Sequence, residues 1–156
     1  MSILSLFGCG RAKAPEYPSD QLTTRDGTQF TISFFKHASL SIAVGGKYIY
    51  VDPVSANADY TALPKADIVL ITGPLTTRVR DRVLAVWNEI PEPKITVAVG
   101  ICPISSGVFR EGYSIEGPVD RYLPIDVNVP GCPPRPQAIM EGVLEAVAIW
   151  RERMEG

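Results

Sequence analysis

Four side chains in this sequence can hold a metal through a thiolate or an imidazole nitrogen: Cys9, Cys102, Cys132 and His37. The cysteines are odd in number and widely spaced, which does not describe a disulfide framework. Free thiols or metal ligands fit better, and a reducing compartment with them. Cys102 and Cys132 each follow a glycine closely, in Gly100-Ile101-Cys102 and Pro130-Gly131-Cys132-Pro133-Pro134. The plain alternative for either is a small buried hydrophobe. His37 matters most for what it excludes, because zinc hydrolase sites generally draw several histidines together and this chain has one. Arg78, Arg80 and Arg82 could meet an acidic partner, with a solvated helix face as the simpler reading. Asp52 and Asp67 are read as residues that close turns.

These groups need elements to position them. The run Ala66-Asp67-Ile68-Val69-Leu70-Ile71-Thr72 is nearly continuous in branched apolar residues, as expected of a central strand buried on both faces. Gly73-Pro74 stops it, and Thr76 or Thr77 is placed to cap the helix that follows. Before it, residues 11–24 lack a period and read as a loose lead-in ending at Asp26-Gly27. Three strand signals follow at 30–35, 39–44 and 47–51, the last two joined by Gly45-Gly46, a two-residue hairpin turn. After the central strand come a helix over 77–90, a buried strand over 95–99 and a helix over 136–154, with Pro136 suited to its first turn. The helices are expected to bury Val79, Val83, Val86, Trp87 and Ile90, and then Ile139, Met140, Val143, Leu144, Val147 and Trp150. The fold class is therefore α/β: a mixed sheet with an N-terminal antiparallel meander and two main helices packed on it, in one domain over 1–156.

Composition sets limits. At 156 residues, 46% of them hydrophobic and with a net charge of −2, the chain can bury a core and carries no basic footprint for nucleic acid. No apolar run approaches the roughly 20 residues that span a bilayer. Leu6-Phe7-Gly8-Cys9 is faintly similar to a lipoprotein cleavage site, but no positively charged beginning precedes it, and lipidation of Cys9 is not expected.

Two family resemblances divide the chain. Phe34-Phe35-Lys36-His37-Ala38-Ser39-Leu40, Tyr50-Val51-Asp52-Pro53-Val54 and Leu63-Pro64-Lys65-Ala66-Asp67-Ile68-Val69-Leu70-Ile71-Thr72 resemble the start of metallo-β-lactamase-fold hydrolases, over about 23–72. That family continues with a His-x-His-x-Asp-His metal run, where this chain has Gly73-Pro74-Leu75-Thr76-Thr77-Arg78. Over about 72–150, Gly100-Ile101-Cys102, Ser106-Gly107-Val108-Phe109 and Pro130-Gly131-Cys132-Pro133-Pro134-Arg135-Pro136 resemble the iron–sulfur small subunit of respiratory complex I and the membrane-bound nickel–iron hydrogenases, so that the chain divides into segments 25–72 and 73–156. A junction inside a shared strand suggests a recombined or engineered chain.

The second resemblance implies an electron-transfer subunit with a 4Fe-4S cluster held by four cysteines at the carboxyl ends of sheet strands. Cys102 and Cys132 match the last two of those ligands. The first pair has no match, since 34–40 belongs to the other resemblance, and Cys9 lies upstream of any matching motif. The expectation is an incomplete site with no stably bound cluster and a protein inactive alone, with Gly100 and Gly131 letting both thiol loops approach a common point. The implied partner is a hydrogenase or complex I large subunit, and the implied location is cytoplasmic, peripheral at the inner face of the membrane. The alternatives are a metal-dependent hydrolase of the lactamase fold and a folded chain without activity.

Overall fold

A computed structural model describes residues 16–156. Four strands open the fold: β1 (Ser19–Thr23), β2 (Gln29–Phe34), β3 (Leu40–Val44) and β4 (Lys47–Val51), each antiparallel to the next. The meander thus has one strand more than the sequence pattern predicts. Residues 19–23, expected to be loose, pair with β2 from Ser19 opposite Ser33 to Thr23 opposite Gln29. All five β1 residues are exposed, so no apolar alternation marked the strand; backbone pairing across the Asp26-Gly27 turn makes it. Gly45 and Gly46 both take positive φ, 55° and 76°, as the hairpin required.

From β4 the sheet turns parallel. β5 (Ile68–Ile71) lies between β4 and β7 (Ile95–Val99), and β9 (Val127–Val129) closes the far edge, giving the order β1-β2-β3-β4-β5-β7-β9. All four β5 residues are buried because both faces are covered. Val69 and Ile71 join Tyr50 and Leu75 under helix α1 (Arg80–Glu89), through its Val83 and Val86. Ile68 and Leu70 point the other way, into a second core with Val97, Val127, Val129 and Ala146 of helix α3 (Pro136–Glu155). A strand clad on both sides has no reason to alternate.

Three local expectations change. Thr76 and Thr77 cap nothing: Leu75–Thr76 is a short strand, β6, paired with β8 (Ile115–Gly117), and the Thr77 N–H donates to Ser114 O at 2.9 Å. With those residues drawn into pairing, α1 starts later than expected and its N-cap, Val79, makes no side-chain bond. At the other end of α1, Lys94 is buried and its Nζ donates to Trp87 O at 3.1 Å and Ile90 O at 2.9 Å, supplying donors that α1's own sequence lacks. On α3, Met140 and Leu144, both expected in the buried stripe, are exposed at 58% and 68%. The contact face instead centres on Gly142 and Ala146, whose small side chains let the helix lie close on β7 and β9. Finally, a third, short helix, α2 (Ile101–Ser105), carries Cys102.

Candidate functional site

β4, β5, β7 and β9 run parallel, so their carboxyl ends share one edge of the sheet. Along that edge stand Asp52, Thr72-Gly73, Gly100-Ile101-Cys102 and Pro130-Gly131-Cys132. β3 runs the opposite way with Leu40 opposite Val51, which brings Ser39 and His37 to the same edge. Such an edge is where open α/β sheets place their sites.

The thiol half is built by two glycines. The Gly100 N–H donates to Val129 O and the Ile101 N–H to Gly131 O, both at 2.8 Å, so the loops after β7 and β9 are tied backbone to backbone. Gly100 has φ 92°, and a Cβ there would meet Gly131 O at 3.4 Å; Gly131 has φ 148°, and a Cβ would sit 2.5 Å from Pro134 Cα. Each position favours glycine on backbone conformation, and Gly131 on space as well. Cys102 and Cys132, each one residue beyond this tie, are both free thiols, the first partly exposed and the second exposed. Ser106, at the end of the short helix that carries Cys102, has a buried hydroxyl without a partner among the described residues. A four-iron cluster asks for four protein ligands. No group of three or more Cys, His, Asp or Glu side chains suited to a metal forms among the described residues, so the donor set there does not fit that cluster. Cys9 lies outside the described residues.

The other half is an oxygen-rich network that sequence reading had reduced to turn closure. Asp52 has φ 43° and His37 φ 57°, positions that side-chain-bearing residues rarely occupy. The Asp52 carboxylate accepts the Thr72 N–H at 2.7 Å and the Thr72 hydroxyl. Ser39 Oγ donates to Asp52 O at 2.5 Å and itself accepts Asn57 Nδ2–H at 2.7 Å. The β4 exit, the β5 exit and the loop after β4 are thereby cross-braced. Asp67 has the comparable job at the entry, accepting the Tyr48 N–H at 2.9 Å. The only sequence signal for Asp52 was an acid directly after a strand at the functional edge.

Burial pushes the Asp52 carboxyl above the ordinary aspartate value, against the Thr72 hydrogen bonds that lower it. A folded-state value above the unfolded one means that the native state binds the proton more tightly, so this group's contribution to stability is lost as pH rises through the raised value. Asp52→Asn keeps an acceptor for the Thr72 N–H and tolerates positive φ. Urea denaturation from pH 4 to pH 7 is expected to show a more positive change of stability with rising pH in Asp52→Asn than in the parent, because the group that loses stability over that range is gone; equal slopes would refute the assignment.

A cleft of about 630 Å³ opens beside this network, lined by His37, Ser39, Asp52 and Asn57 on one side and Arg78 and Arg82 on the other. The three arginines read together in the sequence part ways here. Arg80 Nη1 lies 3.1 Å from Glu116 Oε1 and its Nε 2.8 Å from Asp81 Oδ1, whereas Arg78 and Arg82 face the cleft.

Comparison with known proteins bears on the sheet from β2 onward. Residues 29–146 match the family described as NADH ubiquinone oxidoreductase, 20 Kd subunit. The probable membrane-bound hydrogenase subunit mbhJ of Pyrococcus furiosus is 46% identical over 91 residues, 58% of this chain and 54% of that one. The chain therefore spans about half the length of that relative. Among solved structures, the membrane-bound sulfane sulfur reductase, an archaeal respiratory membrane complex, contains a chain 34% identical with a TM-score of 0.52, covering 56% of this chain and 49% of that one. A putative metal-dependent hydrolase from Parabacteroides distasonis is 36% identical over 53% of this chain and 36% of its own, with a TM-score of 0.47. No helix among the described residues is long and apolar enough to cross a membrane. Because the family match runs from β2 through the parallel strands to the first half of α3, about three quarters of the chain, the chain belongs to the family of the 20 Kd subunit of NADH ubiquinone oxidoreductase.

Proposed function

We propose that this chain is an electron-transfer subunit of the complex I and membrane-bound hydrogenase type whose cluster site is incomplete, and that it is inactive alone. The observation that carries this reading is the Ile101 N–H to Gly131 O bond, which sets the two cysteine-bearing loops side by side at the sheet edge. Cys102 and Cys132 are the two metal-binding thiols of the proposal, and the remaining ligands of a 4Fe-4S cluster would have to come from outside the described residues. The implied partner is a hydrogenase or complex I large subunit, and the implied place is cytoplasmic, peripheral at the inner face of the membrane. Val108 and Phe109, exposed at 87% and 47% on the segment after α2, support a protein surface covered by such a partner.

The test is anaerobic reconstitution with iron and sulfide, followed by iron, acid-labile sulfide and visible absorption per chain. Little or no stable cluster is expected, since two thiolates cannot hold four irons; at most a thiophilic ion binds weakly. Four irons per chain in the parent, lost in both Cys102→Ser and Cys132→Ser, would show that the site is complete and overturn the proposal of an incomplete one.

Different parentage of 25–72 and 73–156, meeting in β5, belongs to the same proposal and rests on the lactamase-type motifs of the first segment. The hydrolase activity those motifs would imply is not expected. An open catalytic zinc site normally needs three protein ligands and a water, and His37 is the only histidine. Purified protein is expected to leave lactams, lactones and phosphodiesters unhydrolysed, with or without added zinc or manganese. Metal-dependent turnover that disappears in His37→Ala would refute this.

A further inference from the structure

The geometry points to the cleft between the Asp52 network and α1 as a binding site for a small organic carboxylate with an apolar body, held by Arg78 and Arg82. The first observation is charge without a partner. Neither Arg78 nor Arg82 makes a side-chain hydrogen bond or ion pair among the described residues, and residues 1–15 contain no acidic side chain that could meet them. Both line the cleft, Arg78 in the turn before α1 and Arg82 in its first turn. An unpaired guanidinium presents a fork of N–H donors that matches a carboxylate in two parallel bonds.

The second observation is the floor. Ile71, Leu75 and Val83 are buried beneath the cleft, with Val54 and Val79 half-buried at its sides. A small hydrated ion would leave that apolar surface in contact with water, whereas a ring or short chain covers it. The volume of about 630 Å³ falls in the range of small-molecule sites, about 300–1,000 Å³.

The third is that the wall is fixed. The Ser55 N–H donates to Arg82 O at 3.4 Å, and Asn57 is held through Ser39 to the Asp52 backbone. The one carboxylate in the wall, on Asp52, is already committed to the Thr72 N–H and hydroxyl, which leaves the two guanidiniums as the charged groups free to meet a ligand.

This inference is independent of the thiol pair, and the experiment keeps the two apart. His37 lines the cleft and is the only histidine, so its imidazole C2–H proton gives one assignable NMR signal inside the site. Benzoate, acetate and inorganic phosphate are titrated into the full chain. Benzoate is expected to move that signal saturably and to bind more tightly than acetate or phosphate. Arg78→Gln and Arg82→Gln are each expected to weaken benzoate about fivefold or more, the loss of a charge-assisted pair. Arg80→Gln, Cys102→Ser and Cys132→Ser are expected to leave it unchanged, because Arg80 is occupied by Asp81 and Glu116 and the thiols do not line the cleft. Arg78 precedes α1 while Arg80 and Arg82 lie in its first turn, and near-ultraviolet circular dichroism confirms that each variant is folded. A shift that does not saturate, affinity retained in the Arg78→Gln/Arg82→Gln double variant, or phosphate binding at least as tightly as benzoate would overturn the assignment.

Discussion

Replacing Gly142 with leucine is expected to lower the unfolding free energy by about 3 kcal/mol, the upper part of the range for overpacking a core. The reason is a contact distance. A Cβ at residue 142 would sit 2.3 Å from Val129 Cγ2 and 3.7 Å from Val127 Cγ1. Val129 is itself buried in β9, so it cannot swing into solvent to make room. Relief requires α3 to lift off β7 and β9, exposing a core that includes Ile95, Val97 and Ala146. Even alanine should destabilise: the gain of about 1 kcal/mol in helix propensity is smaller than the cost of a contact that short. Met140→Ala, two residues earlier on the exposed side, should change stability by less than about 0.5 kcal/mol. The measurement is the urea midpoint at unchanged slope, and a Gly142→Leu variant as stable as the parent would show that α3 does not pack as described.

Tyr50→Ala is expected to cost about 4 kcal/mol, the range seen for truncating a large buried aromatic to alanine. Tyr50 is 1% exposed in β4, and its ring meets Tyr60 edge-on with centroids 5.1 Å apart. Tyr60 in turn meets Phe35, so three aromatics join the meander, the loop after β4 and the core under α1. The Tyr50 hydroxyl donates to Pro64 O, which anchors the chain just before β5. Tyr50→Phe separates the two contributions: the ring stays and the donor is lost, for an expected cost of about 1–2 kcal/mol. Equal costs for Phe and Ala would mean that the hydroxyl, and not the packing, holds this corner.

How much was legible follows from what kind of signal each element leaves. β4 and β7 were read with their observed bounds, because branched apolar runs between turn residues carry their own signature. β1 was not, since Ser19-Asp20-Gln21-Leu22-Thr23 has no apolar face and gains its conformation from a neighbour. The helix stripes were half right: Val83, Val86 and Ile90 are buried, while Met140 and Leu144 are not. Hydrophobicity ranked those two above Gly142 and Ala146, but close helix–sheet contact selects small residues over apolar ones.

The site divides along the same line. Sequence by itself determined the donor inventory, three cysteines and one histidine, and therefore which metal chemistries this chain can supply from its own side chains. It also marked the glycines at 100 and 131 and the apolar runs that become the buried parallel strands, because those depend on nearest neighbours and local conformation. Only the tertiary structure decided that the four parallel strands present their carboxyl ends together. It tied Ile101 to Gly131, placed Asp52 against Thr72 twenty residues on, and turned Arg78 and Arg82 toward a cleft while Arg80 went to Glu116. These are long-range juxtapositions set by strand order and helix placement, and neither periodicity nor spacing along the chain encodes which of three neighbouring arginines finds a carboxylate.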